Sequence, residues 1–93
     1  MTYALIILPK VQKYLDTQDD SAVKNIWLHI SELKINPYRP RPMVDAIKLK
    51  DNKAPPMYRL RVGRHRLEYF IDEDEKMITV TNAFHRSGDS DYR

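Results

Sequence analysis

Residues 58–69, YRLRVGRHRLEY, decide the fold. In the first half of this stretch apolar residues alternate with arginines, and the alternation predicts a strand with one packed and one solvent-facing side. Gly63 then interrupts the pattern, and a Gly-X pair at a two-residue turn is typical of a β-hairpin. The alternation resumes after Arg64. The stretch therefore predicts two antiparallel strands, about Met57 to Val62 and Arg66 to Asp72.

The turn at Gly63 and Arg64 fixes which residues of the hairpin face each other. The predicted pairs are Tyr58 with Tyr69 and Leu60 with Leu67 on the packed side, and Arg59 with Glu68 and Arg61 with Arg66 on the other. A slip of one residue would turn arginines toward the packed side, so the register is well specified. Like charges directly opposite each other are destabilising. The pair Arg61–Arg66 therefore indicates a surface that meets an anion such as a phosphate.

Positive charge is concentrated in the middle of the chain. The formal net charge is +3, yet residues 37–66 carry nine Lys and Arg against two Asp, which gives +7. This polarisation indicates a polyanion-binding face. The predicted RNA-binding residues are Lys48, Lys50, Lys53, Arg64 and His85. Two alternatives stay open: the lysines form an ordinary solvated surface, and Arg59–Glu68 is an ordinary cross-strand ion pair.

Length and composition fit one globular domain over residues 1–93, with 42% hydrophobic and 31% charged residues. The absence of cysteine excludes disulfides and thiolate metal sites and agrees with a reducing cytoplasm. The apolar run in MTYALIILPK is too short for a signal peptide or a membrane span. Three scattered histidines without a carboxylate at ligand spacing predict no metal site.

The first half of the chain predicts a strand and a helical hairpin. Tyr3 to Leu8 is the predicted strand, and short and longer helices follow at Lys10 to Thr17 and about Ala22 to Lys34. Asp20 or Ser21 is the expected cap of the second helix. Its core-facing stripe is predicted to contain Val23, Ile26, Trp27, Ile30 and Leu33. Leu28 and Ile35 lie outside this stripe. They are expected to contact either the first helix or a protein partner.

The second half predicts the sheet. A proline-rich loop, NPYRPRP at residues 36–42, precedes a short strand at Ala46 to Lys50, and a last strand at Met77 to Ala83 follows the hairpin. We therefore expect an α+β fold: an N-terminal strand, an αα-hairpin, then an antiparallel sheet of three to four strands with the helices on one face. The other face is free to bind.

The tail AFHRSGDSDYR, residues 83–93, is a second cluster of functional side chains. His85, Arg86 and Tyr92 together could supply charge stabilisation, proton transfer and base stacking. Terminal residues are also often frayed. An ordinary, non-functional terminus is therefore the alternative.

The element order, the YRLRVGRHRLEY hairpin, the acidic turn at residues 72–76 and the H-R…Y tail resemble the RelE/ParE superfamily of prokaryotic toxins, over the whole chain. RelE-like members have a small RNase-like fold and cut mRNA in the ribosomal A site by attack of a 2′-OH on the adjacent phosphate. The resemblance implies the same metal-free, cofactor-free reaction for this chain, in the cytoplasm, with the ribosome and mRNA as partners. It also implies a cognate RelB-like antitoxin that covers the basic face.

The resemblance assigns roles to five residues. Arg59 and Arg61 correspond to the two basic residues of the family's first hairpin strand. Arg66 corresponds to the arginine that holds the scissile phosphate, and Arg86 to the one proposed to protonate the leaving oxygen. Tyr92 corresponds to a tyrosine that stacks on or orients a base.

The sequence departs from the family at Arg59 and Arg61, where well-studied members have lysines. Lysine can lose its proton and act as a base, whereas arginine stays charged and stabilises a phosphorane through paired contacts. His85 and Tyr92 are the alternative bases. Two other functions stay open: a ParE-like inhibitor of DNA gyrase without enzymatic activity, and an inactive family member that binds RNA without cleaving it.

Overall fold

In the part of the chain that the structure describes, two helices and one five-stranded sheet form the fold. The computed structural model describes residues 2–50 and 54–86. Its elements are β1 Ala4–Ile7, α1 Pro9–Asp16, α2 Asp20–Leu33, β2 Asp45–Lys48, β3 Tyr58–Val62, β4 His65–Asp72 and β5 Met77–His85. The strand order is β1-β5-β4-β3-β2. The expected α+β fold is confirmed, with four antiparallel strands after the helices.

The fifth strand of the sheet is β1, which pairs in parallel with β5 at one edge. A parallel neighbour requires a long crossover connection. Here α1 and α2 begin that connection, and α1 packs on β5 while α2 packs on β3. The helical hairpin therefore covers one face of the sheet, called here the helix face, and leaves the open face on the other side.

The β3–β4 hairpin has the predicted turn and register. All four predicted pairs are present, and the ladder closes with Val62 opposite His65. Gly63 adopts a φ of 60°, a conformation in which a residue with a Cβ would be strained. The glycine thus fixes the two-residue turn and, through it, the face on which each arginine lies.

Among the described residues, thirteen buried apolar side chains form the core between the helices and the helix face. They are Val11, Leu15, Ile26, Ile30, Leu33, Val44, Ala46, Leu60, Val62, Leu67, Tyr69, Ile78 and Val80. Pro9 occupies the first turn of α1, and the Asp19 side chain caps α2 by accepting a 2.8 Å hydrogen bond from the Ala22 amide. The predicted caps, Asp20 and Ser21, were wrong by one or two positions. Within residues 2–50 and 54–86 no helix is long and apolar enough to cross a membrane.

The prediction that Trp27 lies in the core is wrong. Trp27 is 37% exposed, because Ile26, Ile30 and Leu33 fill the contact between α2 and the sheet. Leu28 and Ile35, which fell off the predicted stripe, are 55% and 54% exposed. The helical hairpin therefore presents apolar side chains to solvent.

A bulge in β5 changes the face on which its second half lies. Tyr69 pairs with Val80, but Glu68 pairs with Asn82, so Thr81 is an extra residue in β5. Before the bulge, Ile78 and Val80 lie on the helix face. After it, Ala83 and His85 lie there instead, and Asn82 and Phe84 lie on the open face. β5 also continues two residues beyond the predicted end at Ala83.

Candidate nucleic-acid interface

The open face of β3, β4 and β5 brings three arginines together beside an aromatic ring. Arg59 and Arg61 on β3 lie opposite Glu68 and Arg66 on β4, and Arg66 in turn lies opposite Phe84 on β5. Asp45 on β2 completes this row because it lies opposite Arg61. The alternation of the hairpin therefore concentrates cationic side chains on the face that the helices leave uncovered.

Arg61 and Arg66 have different partners despite their direct opposition. The Arg61 Nε donates to Asp45 Oδ2 at 2.7 Å in a half-exposed ion pair. The Arg66 Nη1 donates to the carbonyl oxygens of Gly63 and His65 at 2.9 and 3.1 Å, and Arg66 is only 2% exposed. The predicted opposition of the two arginines is present, and each of them also has partners within the protein. The turn backbone and Asp45 stabilise both charges within the protein.

Arg59 is held in a fixed orientation. Its Nε and Nη2 both donate to Glu68 Oε2, at 3.2 and 2.8 Å, and its guanidinium lies 5.5 Å from the centroid of the Phe84 ring. The Asn82 Nδ2 donates a 3.3 Å hydrogen bond to the other carboxylate oxygen of Glu68, Oε1. The predicted cross-strand ion pair is confirmed, and it belongs to a larger group that spans β3, β4 and β5.

Two further arginines lie at the turn end of the sheet. Arg64 is exposed at the corner of the turn, and its carbonyl accepts a 2.7 Å hydrogen bond from the Arg86 amide. This bond continues the ladder beyond β5, so Arg86 follows Phe84 in the alternation and has the parity of the open face. Tyr92 and Lys53 lie outside the described residues.

Of the predicted lysines, Lys48 does not share the arginine-bearing face. Lys48 and Lys50 are both exposed, but Lys48 lies opposite Tyr58 and has the parity of buried Ala46. The position that shares the face with Arg59 is Ile47, which lies opposite it and is 57% exposed.

His85 also lies away from the arginines, on the helix face. Its ring is 5.6 Å from that of His65, its cross-strand partner, and the His65 Nδ1 is 2.6 Å from the Tyr14 hydroxyl on α1. Burial and, secondarily, His85 lower the pKa of His65, while burial raises the pKa of Tyr14. His65 therefore connects α1 to the end of the sheet.

Sequence reasoning missed Asp45 and Phe84 as members of the site. Asp45 comes just before the strand predicted at Ala46 to Lys50, which was the only indication of its role. Its place opposite Arg61 depends on the pairing of β2 with β3, which the sequence does not reveal. The sequence did not indicate that Phe84 lies on the open face, because this placement depends on the bulge in β5. Among the described residues no group of three His, Cys, Asp or Glu side chains could hold a metal ion.

No family model matches the sequence, and no curated protein sequence matches it at a significant level. Solved structures do match. The RelE–RelB complex of Pyrococcus horikoshii is 27% identical, with a TM-score of 0.80 over 95% of this chain and 99% of that chain. The RelBE2 toxin–antitoxin complex of Mycobacterium tuberculosis is 18% identical, with a TM-score of 0.76 over 92% and 100%. The isolated RelE toxin of E. coli is 15% identical, with a TM-score of 0.72 over 91% and 85%.

The fold of this chain is thus the RelE-like fold, with its helical hairpin on one face of the sheet and an arginine-bearing open face. The match to the Pyrococcus horikoshii complex, at 27% identity, supports the place of this chain in the RelE/ParE-like toxin superfamily.

Proposed function

We propose that this protein is the toxin of a toxin–antitoxin pair and an endoribonuclease that cleaves mRNA in the ribosomal A site. The reaction is attack of a 2′-OH on the adjacent phosphate. The 2′-oxygen forms a bond to phosphorus, the bond to the 5′-oxygen breaks, and the products are a 2′,3′-cyclic phosphate and a 5′-hydroxyl. The protein contributes charge and position, so no metal or other cofactor takes part.

The observation that carries the proposal is the row of arginines on the open face. The guanidinium groups of Arg59 and Arg61 lie on the uncovered side of a rigid hairpin, beside Arg66 and next to the exit of β5. Guanidinium groups bind phosphate oxygens through paired hydrogen bonds and stabilise the extra charge of a phosphorane. The similarity to structures named as RelE toxins supports the same reading.

In this proposal Arg61 stabilises the phosphorane directly, and Arg66, whose Nη1 is bound to the turn carbonyls, adds its positive charge from within the sheet. Arg86 gives a proton to the leaving 5′-oxygen. Of the two bases considered from the sequence, His85 has the wrong face, since it pairs with His65 on the helix face. Tyr92, as its phenolate, is therefore the base that accepts the 2′-hydroxyl proton in this proposal.

A cognate RelB-like antitoxin is the second part of the proposal. Four of the similar structures are RelE–RelB or RelBE complexes of a toxin with its antitoxin. The exposed Trp27 and Leu28 on α2, with Ile35 just after it, offer apolar area for such a partner. The open face offers positive charge for an acidic segment. The toxin would act in the cytoplasm, where ribosomes and mRNA are found.

One observation favours a second candidate, an inactive family member that binds RNA. Asp45 and Glu68 neutralise Arg61 and Arg59 within the protein, and a guanidinium is a poor base. Such a protein would bind RNA with a steep dependence on salt and leave it intact.

A translating extract distinguishes the two candidates. Added wild-type protein should arrest translation and leave mRNA fragments that end in a cyclic phosphate, and Arg86→Ala should abolish both effects. Lys24→Ala, on the exposed surface of α2, is the matched control and should arrest translation as wild type does. Arrest without mRNA cleavage, or full cleavage by Arg86→Ala, would contradict the proposed reaction.

A further inference from the structure

Phe84 is an aromatic residue on the face of the sheet that does not bear the core. It lies opposite Arg66, its ring contacts the Arg59 guanidinium, and it is partly exposed. Core packing does not explain a phenylalanine at this position, because the helices cover the other face. A partly exposed aromatic ring among cationic side chains is instead a typical element of single-stranded nucleic-acid sites.

The bulge in β5 places Phe84 there. Ile78 and Val80 point to the core, and unbroken alternation would send Asn82 and Phe84 to the same side. The extra residue, Thr81, reverses the parity and turns both toward the arginines. β-bulges re-aim side chains and are over-represented next to functional sites.

We infer that Phe84 is a stacking platform for one RNA base, whose neighbouring phosphate is held by the arginines of the open face. This inference rests on the proposed function. One feature of the geometry and one general property of bases support this inference. Two hydrogen bonds to Glu68 hold the Arg59 guanidinium over the Phe84 ring, 5.5 Å from its centroid, so a base can extend this stack. Base rings stack on both aromatic side chains and guanidinium planes, and every base has a π-face, so the contact positions a nucleotide without selecting its identity.

A purely structural role for Phe84 makes a different prediction. In that case the ring only shields the Arg59–Glu68 ion pair from water, and an aliphatic side chain of similar size would serve as well. Phe84→Leu keeps the apolar cover and removes the π-face. It therefore separates the two roles.

The test measures binding of a short 2′-fluoro RNA, which lacks the attacking hydroxyl and cannot be cleaved. Phe84→Leu should weaken binding about tenfold, the size expected for the loss of one base stack, while Phe84→Tyr stays within about twofold. A series of oligonucleotides with one abasic position each then locates the base. One abasic position should cost the wild type about as much as Phe84→Leu does, and should cost Phe84→Leu almost nothing further.

Phe70→Leu is the matched control, because Phe70 is a partly exposed aromatic residue on the open face of β4, opposite Thr79. It should bind like wild type. Wild-type affinity of Phe84→Leu, or equal losses at every abasic position, would overturn the inference. A failure of the proposed cleavage is separate from this result, since the binding assay contains neither ribosomes nor a cleavable RNA.

Discussion

Arg61 and Arg66 lie directly opposite each other across the β3–β4 hairpin, yet each guanidinium is bound by a different part of the protein. Arg61 reaches sideways to Asp45 on β2, and Arg66 is buried against the carbonyl oxygens of the turn. Asp45 and the turn carbonyls thereby offset two like charges on one face. The two arginines should consequently respond differently to substitution.

Asp45→Asn should strengthen RNA binding. Its carboxylate competes with a phosphate for Arg61, and the pair is about half exposed, so its loss should cost less than about 1 kcal/mol of unfolding free energy. Affinity for a 2′-fluoro RNA, measured across a range of salt concentrations, should rise several-fold at low salt. Asp16→Asn on α1 removes the same charge from an exposed site and is the control. An equal gain in both variants would mean that only net charge matters.

Arg66→Lys should destabilise the fold. A buried lysine cannot reproduce the geometry with which one guanidinium reaches both Gly63 and His65 carbonyls, and unsatisfied buried polar groups cost about 1–3 kcal/mol each. Urea unfolding measures the loss. Arg64→Lys, on the exposed corner of the same turn, should change the unfolding free energy by less than about 0.5 kcal/mol. If Arg66→Lys is as stable as wild type, the buried contacts of Arg66 carry little of the hairpin's stability.

Stability should fall on mild acidification because of His65. Burial, with His85 second, lowers its folded-state pKa below the ordinary value of 6.5, so the unfolded chain binds more protons at this position. The stabilising contribution is fully present well above pH 6.5 and is lost as the pH falls below that value toward the folded pKa.

Urea unfolding at about pH 7.5 and about pH 5.5 tests this dependence. The difference between the two pH values should shrink in His65→Gln and persist in His29→Gln, a substitution on α2. Tyr14, His85, Asp19 and Arg66 surround His65 electrostatically or by contact, and none of them is changed in either variant. An undiminished pH difference in His65→Gln would contradict the assignment.

The hairpin could be predicted from sequence because its determinants are local. Gly63 fixes the turn, the alternation fixes the faces, and a slip would bury arginines, so the opposition of Arg61 and Arg66 follows from adjacent residues alone. The helices and the antiparallel strands were predicted for the same reason. The observed ends of these elements differ from the predicted ones by a few residues. At the start of α2, for example, the capping residue is Asp19.

The parts that failed depend on contacts distant in sequence. Nothing local to β1 specifies that it pairs in parallel with β5, and nothing local to Phe84 specifies its face, because the bulge forms only when β4 and β5 pair. Tyr14 and His65 are 51 positions apart, so their hydrogen bond, which links α1 to the end of the sheet where His85 lies, had no sequence signal. The prediction that Trp27 is buried was wrong for a related reason. The apolar stripe of α2 is wider than the surface that the sheet covers, so Trp27 at its edge stays exposed.

Cleavage mapped on a single mRNA, with and without purified ribosomes stalled at a known codon, tests the central claim most directly. The account predicts one cut within the A-site codon, only when ribosomes are present, with a cyclic phosphate on the upstream fragment. It also predicts that Arg61→Ala and Arg86→Ala each remove the cut while Lys24→Ala retains it. Intact mRNA on ribosomes that demonstrably bind the wild-type protein would contradict the account, as would a cut that persists in both arginine variants.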